Sequence, residues 1–443
     1  MKNNICAVVL AGGKGTRMLS NIPKPLYKIL DVPAIEYVLL PLKELDIKTY
    51  VIANDQVYDY LVSSHDDIVP IKQEEGGYGT GWALKCAKEY IKDYEYVLVI
   101  QSDDPLIEKD NIENLINSKD NAIQVFMDLG RYSSFGHVDV RNDEVISMSE
   151  SSNEYKYANL GRYYFKVEDL INHLDKYKEE NGEFTIPGII SSMINTGAKV
   201  KINIADGEFS NMNSKEEVAK VQGIIRKRIN KNLLNKGVMI YSPELADISP
   251  LVQIGADTVI TGPCQISGKT IIGKNCTINS SYIINSLIED STNILFSFIE
   301  DAIINARAKI GPYAHLRPKA YVGKEAVIGN FVEVKNSTIN NNAKVRHLSY
   351  IGDASVGESS NIGCGTITAN YDGKDKHPTI IGKGCFVGCN STLIAPVTIE
   401  DHSLIAAGSV ITEDVEKDTL AFGRARQVNK LGRAKGYLAA GKK

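Results

Sequence analysis

The chain has 443 residues, of which 43% are hydrophobic, so it can fill more than one ordinary core and two or three domains are expected. Its 50 basic and 54 acidic residues leave a formal net charge of -4, which gives no reason to expect binding to nucleic acid or to a membrane surface. No stretch approaches the roughly 20 apolar residues of a membrane span, and no signal-peptide pattern opens the chain, so a cytoplasmic location is predicted.

Short apolar strands alternate with helix-like stretches over residues 1–213. Several of these strands are apolar throughout, which is typical of a sheet covered on both faces. The alternation predicts a Rossmann-like α/β domain with a mostly parallel, doubly wound sheet and a ligand site beyond the carboxyl ends of its strands. The predicted strands are Ile5–Leu10, Tyr50–Ile52, Tyr96–Ile100, Ala122–Met127 and Tyr163–Lys166.

A glycine-rich segment, LAGGKGTRM over residues 10–18, follows the first predicted strand and precedes Pro23 and Lys24. Glycines let backbone N–H groups approach phosphates, and Lys14, Arg17 and Lys24 supply cations for a triphosphate. The segment is neither GxxxxGK[ST] nor GxGxxG, so a nicotinamide cofactor is disfavoured. The residues alone leave open a glycine turn with solvated charges.

A single helix is predicted from Lys215 to about Asn235, with Ser214 as its N-cap and Gly237 as its stop. It would connect two domains over residues 214–237. Its apolar stripe consists of Val218, Val221, Ile224, Ile225 and Ile229.

Beyond this helix the hydrophobic period becomes six. Neither a helix nor an ordinary strand has this period, whereas a parallel β-helix places one aliphatic residue per side in its core. The polar segment 370–378 breaks the period and is predicted to leave the coil as a loop. The aliphatic positions are Ile254, Ile260, Ile266, Ile272, Ile278 and Ile284, then Ile310, Leu316, Val322, Ile328 and Val334.

Both halves carry family motifs. The pattern GxGTRM followed by PK is the signature of sugar-phosphate nucleotidyltransferases. The second half contains GPYAHLRP (311–318), GNFVEVK (329–335), HLSYIGD (347–353), NIGCGT (361–366) and NYDG (370–373). Together they make the chain resemble, over nearly its whole length, the bifunctional N-acetylglucosamine-1-phosphate uridyltransferase/glucosamine-1-phosphate acetyltransferase family.

This resemblance implies a nucleotidyltransferase domain over 1–213, a left-handed β-helix over 238–425 and a basic tail over 426–443. It further implies a homotrimer formed through the β-helix. The product would be UDP-N-acetylglucosamine, a cell-wall precursor.

For the first domain, the resemblance implies attack of a sugar 1-phosphate on the α-phosphorus of UTP, with pyrophosphate released. Asp103 and Asn213 would hold Mg²⁺, although an acidic residue that ends a strand is also a common turn or cap residue. Nucleotide contacts are implied for Leu10, Gly13, Lys14, Arg17, Lys24, Gln73, Gly79 and Thr80, and sugar-phosphate contacts for Gly136, Glu150, Asn159 and Asn213.

For the second domain, the resemblance implies acetyl transfer from acetyl-CoA to glucosamine 1-phosphate. His347 would be the base, Glu333 would orient its ring, and Asn370 would support the tetrahedral intermediate. The sugar phosphate would contact Arg317, Lys335, Tyr350, Asn361 and Lys376. Acetyl-CoA would contact Asn370, Tyr371, Cys389, Ala407 and Arg424.

Two departures from the family pattern keep other readings open. Ser102, preceded by Gln101, stands where the family has glycine, and the loop 73–81 is one residue longer. The first domain could therefore use another sugar or nucleotide, or be weakly active. A third reading is a β-helix scaffold with a nucleotide-sensing domain and no catalysis. Cys389 also stands where relatives commonly carry serine.

Overall fold

The computed structural model describes residues 4–13, 18, 20–128, 135–149, 156–175 and 183–439. The chain folds as two units, Met1–Arg226 and Lys227–Lys443. Among the helices within the described ranges, none is both long and apolar enough to cross a membrane.

A sheet of nine described strands lies at the centre of the first unit. In chain order, the strands of this unit are β1 (Ile5–Ala11), β2 (Lys28–Ile29), β3 (Val32–Pro33), β4 (Lys48–Ala53), β5 (Val69–Lys72), β6 (Tyr96–Gln101), β7 (Ala122–Met127), β8 (His137–Arg141), β9 (Glu144–Ser149), β10 (Tyr157–Lys166) and β11 (Lys201–Ile204). The sheet order is β5-β4-β1-β6-β10-β7-β11-β9-β8, and β2 pairs separately with β3. Strands β5, β4, β1 and β6 are parallel, whereas β10 runs antiparallel to β6 and β7.

Two hydrophobic cores cover the two faces of this sheet. Alternate residues of β1 point to opposite faces, so that Val8 lies in one core and Val9 in the other. The prediction of a mostly parallel α/β sheet covered on both faces is confirmed. The helices of this unit are α1 (Ala34–Glu44), α2 (Asp55–Ser64), α3 (Thr80–Cys86), α4 (Lys88–Ile91), α5 (Lys109–Ile116), α6 (Val167–Leu174) and α7 (Ile186–Asn195), with a 3-10 helix at Lys24–Leu26.

Helix α8 (Lys215–Asn235) begins with a capping box. Ser214 Oγ accepts a hydrogen bond from Glu217 N at 3.2 Å, and Glu217 Oε2 accepts one from Ser214 N at 3.2 Å. Gly237, just beyond the end of the helix, has a φ of 87°, which glycine adopts at little cost. The division between the two units falls inside this helix, after Arg226.

The second unit is the β-helix of hexapeptide repeats that the period of six predicts. Its strands pair in parallel with strands one coil away, and their inward residues form one continuous core. One sheet contains Met239–Tyr241, Ala246–Ile248, Val259–Thr261, Cys264–Ser267, Thr277–Asn279, Tyr282–Ile284, Asn293–Leu295, Phe298–Glu300, Lys309–Ile310, His315–Leu316, Val327–Lys335, Lys344–Gly352, Asn361–Ile362, Ile367–Ala369, Phe386–Val387, Thr392–Ile394, Leu404–Ile405, Val410–Ile411 and Leu420–Ala421. The other contains Gln253–Ile254, Ile271–Ile272, Leu287–Ile288, Ile303–Ile304, Tyr321–Val322, Thr338–Ile339, Ala354–Val356, Thr379–Ile381 and Val397–Ile399. A 3-10 helix (Pro243–Leu245) and helix α9 (Ala434–Ala439) complete the unit.

One aliphatic position was predicted wrongly. Ile260 pairs with Ile278 three hexads later, but Ile266 pairs with Ile283 because this coil is one residue shorter. Ile283 is therefore fully buried, whereas Ile284 is only half-buried.

Several corners of the coil use non-glycine residues in the left-handed region. Phe331, Leu348 and Asp353 have φ angles of 57°, 44° and 47°. Such a conformation costs roughly 1–2 kcal/mol per residue, which the stacked strands on either side must offset. These corners decide which side chains share a face of the coil.

The predicted loop at 370–378 leaves the coil between Ala369 and Thr379, both of which are in strands. An isolated bridge between Tyr371 and Lys376 folds this loop back on itself. The loop therefore exposes Tyr371 and Lys376, whereas Asn370 at its base is buried.

Candidate active sites

A cavity of about 570 Å³ opens at the carboxyl ends of β1 and β6 in the first unit. Its position agrees with the expected site of an open α/β sheet. Of the predicted nucleotide contacts, Lys14 and Arg17 lie outside the described residues, as does Glu150 of the predicted sugar site. The predicted residues that line the cavity are Leu10, Gly13, Lys24, Gln73, Gly79, Thr80 and Asp103.

The segment 73–80 forms one wall of this cavity. Gln73 N donates to Ala53 O at 2.9 Å, and a Cβ at Gly12 would overlap the Gln73 side chain. Gly79 has a φ of 109° just before α3, and Thr80 Oγ1 accepts from Ile186 N at 3.1 Å. The glycines here permit close packing, so the loop that would read the base is held in place from both ends.

Two side-chain oxygens converge on one cation at the floor of the cavity. Lys24 Nζ lies 2.6 Å from Asn213 Oδ1 and 3.3 Å from Asp103 Oδ2. Asn213 is held in turn because its backbone N donates to Glu217 Oε2 at 2.6 Å. A carboxylate and an amide oxygen directed at one positive charge fit Mg²⁺, which takes one or two protein oxygens together with phosphates.

A smaller cavity of about 140 Å³ adjoins the first, since Gln101 and Asp103 line both. It contains the predicted sugar residues Gly136 and Asn159, and Asn159 N donates to Gly136 O at 2.7 Å. Strand β10 bulges after Asn159, where Gly161 has a φ of 71° and a Cβ would lie 2.9 Å from Gln101 Cγ. The bulge thus makes room for the Gln101 side chain between the two cavities.

A buried ion pair beneath the smaller cavity was not found from the sequence. Arg162 is fully buried, and its guanidinium donates to both carboxylate oxygens of Asp104 and, at 2.8 Å, to Gln124 Oε1. Bidentate geometry offsets the cost of removing these charges from water. The one available signal was an arginine within the apolar strand β10.

Cationic side chains cluster on one face of the β-helix. Arg317 Nη1 donates to Glu333 Oε1 at 2.9 Å, and Lys335 Nζ donates to Asp353 Oδ2 at 3.0 Å. Tyr350 pairs in register with Glu333. Four of the five predicted sugar-phosphate contacts, namely Arg317, Lys335, Tyr350 and Lys376, therefore lie together.

Positive charge is in excess in this cluster. The neighbouring Lys335 ammonium, followed by desolvation and by a smaller effect of Arg317, lowers the pKa of Lys376 below its usual value. Over the described ranges, Lys376 forms no ion pair with an acid. An anion placed here would relieve the repulsion, as a sugar phosphate would.

His347 lies on the other side of the corner formed by Phe331 and Leu348. Its Nδ1 is 2.7 Å from Asn330 Oδ1, a pair that lies in register on neighbouring coils. Because an amide oxygen only accepts, Nδ1 carries a proton, and in the neutral ring the lone pair is then on Nε2. Asn330 lies within the motif GNFVEVK, but its contact with His347 depends on the register between neighbouring coils and could not be predicted from the sequence.

In the structure, Glu333 does not hold the His347 ring as the resemblance implies. Glu333 follows the corner and pairs with Arg317, whereas His347 precedes the corner at Leu348 and pairs with Asn330. Within one chain the carboxylate therefore fixes the cationic cluster rather than the imidazole.

The remaining predicted residues divide in the same way. Asn361 pairs with Lys344 and Phe386 on the His347 side of the corner. Cys389, Ala407 and Arg424 continue the column of His347 along the edge of the coil. Asn390 N donates to Cys364 O, and Gly408 N donates to Cys389 O. A Cβ at Gly408 would lie 3.8 Å from Arg424 Cδ. Asn370 and Tyr371 lie on the Asp353 side, where Asn370 Nδ2 donates to Asp353 Oδ2.

Three protein families match parts of the chain. The MobA-like NTP transferase domain matches residues 7–184, the GMPPB C-terminal domain residues 298–371, and the hexapeptide repeat of succinyl-transferase residues 378–413. The first of these falls within the first unit, and the other two fall within the β-helix.

Relatives match along almost the whole chain. A protein from Clostridium novyi (strain NT) is 36% identical over 98% of this chain and 98% of its own. One from Clostridioides difficile (strain 630) is 37% identical, with 97% of each chain covered. A third, from Clostridium perfringens (strain SM101 / Type A), is 38% identical over 96% of this chain and 97% of its own. All three carry the name Bifunctional protein GlmU.

Solved structures match about half of the chain. A putative glucose-1-phosphate thymidylyltransferase from Bacillus anthracis has a TM-score of 0.44 and 20% identity, and covers 49% of this chain and 94% of its own. A UDP-glucose pyrophosphorylase in complex with UDP-glucose has a TM-score of 0.43 and 20% identity, and covers 50% and 98%.

Proposed function

The chain belongs to the family of bifunctional GlmU proteins, and from this membership we propose that it performs two successive transfers. It first moves the acetyl group of acetyl-CoA to glucosamine 1-phosphate. It then moves the uridylyl group of UTP to N-acetylglucosamine 1-phosphate, giving UDP-N-acetylglucosamine and pyrophosphate. The observation that carries the proposal is the identity of 36% over 98% of both chains, which spans both units.

Acetyl transfer is assigned to the β-helix. The phosphate of the acceptor would lie among Arg317, Lys335 and Lys376, where positive charge is in excess. The sugar amine forms a bond to the thioester carbonyl carbon and the carbon–sulfur bond breaks. One amine proton passes to His347 Nε2, and the ring returns it to the departing sulfur, which leaves as a free thiol.

Asn330 is assigned the orienting role that the family resemblance implies for Glu333. Its amide oxygen holds the Nδ1 proton of His347, so the ring presents Nε2 as the base. Acetyl-CoA would lie along the edge that carries Cys389, Ala407 and Arg424.

Uridylyl transfer is assigned to the first unit. Catalysis of this kind is mainly positioning and charge neutralisation. Gln73 and Thr80 would hold the base, Gly136 and Asn159 the sugar, and Lys24 the phosphates. Mg²⁺, held by Asp103 and Asn213, would neutralise phosphate charge when bound.

A homotrimer is part of the proposal because the predicted acetyl-transfer residues divide into two groups. The cationic group with Asn370 lies on one side of the corner at Leu348, and the His347 group lies on the other. Subunits related by a threefold axis can bring one group of each chain to the other group of its neighbour. A cytoplasmic location stays a prediction.

A second candidate keeps the acetyl transfer but changes the nucleotide or sugar of the first unit. Gln101 lines both cavities, and Ser102 lines the larger one. Both residues lie where a base, ribose or sugar would be selected.

One assay tests both candidates. The purified protein is incubated with glucosamine 1-phosphate, acetyl-CoA, UTP and Mg²⁺, and free thiol and pyrophosphate are measured separately. Release of both supports the leading proposal, and thiol without pyrophosphate supports the second candidate. Release of neither thiol nor pyrophosphate would support the noncatalytic scaffold.

A further inference from the structure

Asp353 lies between the cationic cluster and the loop 370–378. We propose that Asp353 is a positioning residue for acetyl transfer, whose carboxylate holds the Lys335 ammonium and fixes the orientation of the Asn370 amide. This inference rests on the proposed acetyl transfer and adds a residue to it.

The Asp353 side chain is only 12% exposed and accepts three hydrogen bonds. Oδ1 accepts from Asn336 Nδ2 at 2.6 Å, and Oδ2 accepts from Lys335 Nζ at 3.0 Å and from Asn370 Nδ2. Its backbone is held by two hydrogen bonds: Asp353 N donates to Lys335 O at 3.0 Å, and Asp353 O accepts from Thr379 N at 3.2 Å. The carboxylate is thus fixed between adjacent coils.

The charge state of Asp353 determines the orientation of Asn370. Burial alone would raise the pKa of this carboxyl, but hydrogen bonds from Asn336, Lys335 and Asn370 outweigh burial and lower it. An ionised carboxylate only accepts, so Asn370 must turn its Nδ2 toward it and its Oδ1 away. Oδ1 is then an acceptor available to an N–H of the sugar amine.

Asp353 also sets the balance of charge in the cluster. Its hydrogen bond raises the pKa of Lys335, and its charge opposes the effect of Lys335 on Lys376. With the carboxylate neutralised, two adjacent amino groups would repel each other and at least one would lose its proton more easily. As the pH rises, phosphate binding would then be lost at a lower pH than in the unsubstituted chain.

The chain offers a matched control at Asp301. This residue occupies the same corner of an earlier coil with a φ of 45°, close to the 47° of Asp353, and its side chain is exposed. Asparagine tolerates this left-handed conformation, so Asp353→Asn and Asp301→Asn change charge without straining the backbone.

The test measures thiol release by the full-length protein against glucosamine 1-phosphate concentration. Asp353→Asn should lower kcat/KM about 10- to 100-fold, because a charge-assisted network and the orientation of Asn370 are lost. Asp301→Asn should match the unsubstituted chain. Pyrophosphate release from N-acetylglucosamine 1-phosphate should stay constant in both variants.

The pH profile separates positioning from a loss of fold. The groups that face Lys335 and Lys376 are Asp353, Tyr350 and Arg317. In Asp353→Asn the rise of KM for glucosamine 1-phosphate at alkaline pH should begin about one pH unit lower, and Asp353→Glu should partly restore it. Equal kinetics and equal pH profiles in the two asparagine variants would overturn the inference, whereas an unsubstituted chain that releases no thiol would overturn the proposed function itself.

Discussion

The residue that carries the proposed acetyl chemistry is His347, whose ring is held by Asn330 rather than by a carboxylate. The amide fixes the tautomer without adding negative charge next to the ring. The ring is exposed in one chain, so its Nε2 can reach a substrate or a neighbouring subunit.

Replacement of His347 should remove one activity only. In His347→Ala, thiol release should fall by about 10²- to 10⁴-fold because the base is gone. Pyrophosphate release from N-acetylglucosamine 1-phosphate should persist. His402→Asn, at an exposed corner of the same unit with a φ of 60°, is the control. Loss of both activities in His347→Ala would contradict separate sites.

Replacement of Asp103 should have the opposite effect. In Asp103→Ala, pyrophosphate release should fall by at least about 100-fold, and more Mg²⁺ should be needed for half-maximal rate, because one of two converging oxygens is lost. Thiol release should not change. The exposed Asp93→Ala serves as the control, and an unaltered Mg²⁺ titration in Asp103→Ala would remove this residue as a metal ligand.

Some site residues could be predicted from the sequence and others could not. Asp103 and Lys24 stand next to a strand end and a glycine-rich loop, so their convergence follows from the sheet. Asn330 and Asp353 act through partners one coil away, and that register depends on the length of each coil. Arg162 was missed because a charged residue gives no sign of burial until its partner Asp104 is known.

At the scale of the element, the β-helix core depends on coil length rather than on a strict period. The register of Ile266 with Ile283 moves the inward position by one residue, and Ile284 turns partly outward. Period-six counting cannot detect this shift because both positions are isoleucine.

This shift predicts different stabilities for two adjacent alanine variants. Ile283→Ala should lower the free energy of unfolding by about 2–5 kcal/mol, because it leaves a cavity in a closed core. Ile284→Ala should cost less than about 1 kcal/mol, since the side chain lies partly outside the core. Thermal unfolding of the two variants measures the difference. Equal losses of stability would contradict the shift and support a strict period of six.

At the scale of the whole molecule, the two-unit architecture was the most predictable feature. Fully apolar strands indicated a covered parallel sheet, and a period of six indicated a β-helix; both are confirmed. The division of the acetyl-transfer residues by the corner at Leu348 could not be predicted, because a linear motif does not reveal which side of a corner its residues occupy.

The trimer proposal predicts complementation between inactive variants. His347→Ala and Lys335→Ala should each lose thiol release, but a co-expressed equal mixture should recover about one quarter of the original activity, because random assembly pairs the two intact groups in a quarter of the sites. Mixtures of His347→Ala with Asn330→Ala, which lie on the same side of the corner, should recover none. An inactive first mixture would place the whole site within one chain.

The strands of each coil of the β-helix pair only with strands of the coils before and after it. Insertion or deletion of one complete coil among the early coils would therefore preserve every ladder downstream, including the one that aligns Asn330 with His347. A partial coil inserted between these two residues would instead shift that ladder and separate the pair. Gene variants that change the length of this unit should thus be tolerated in whole-turn steps.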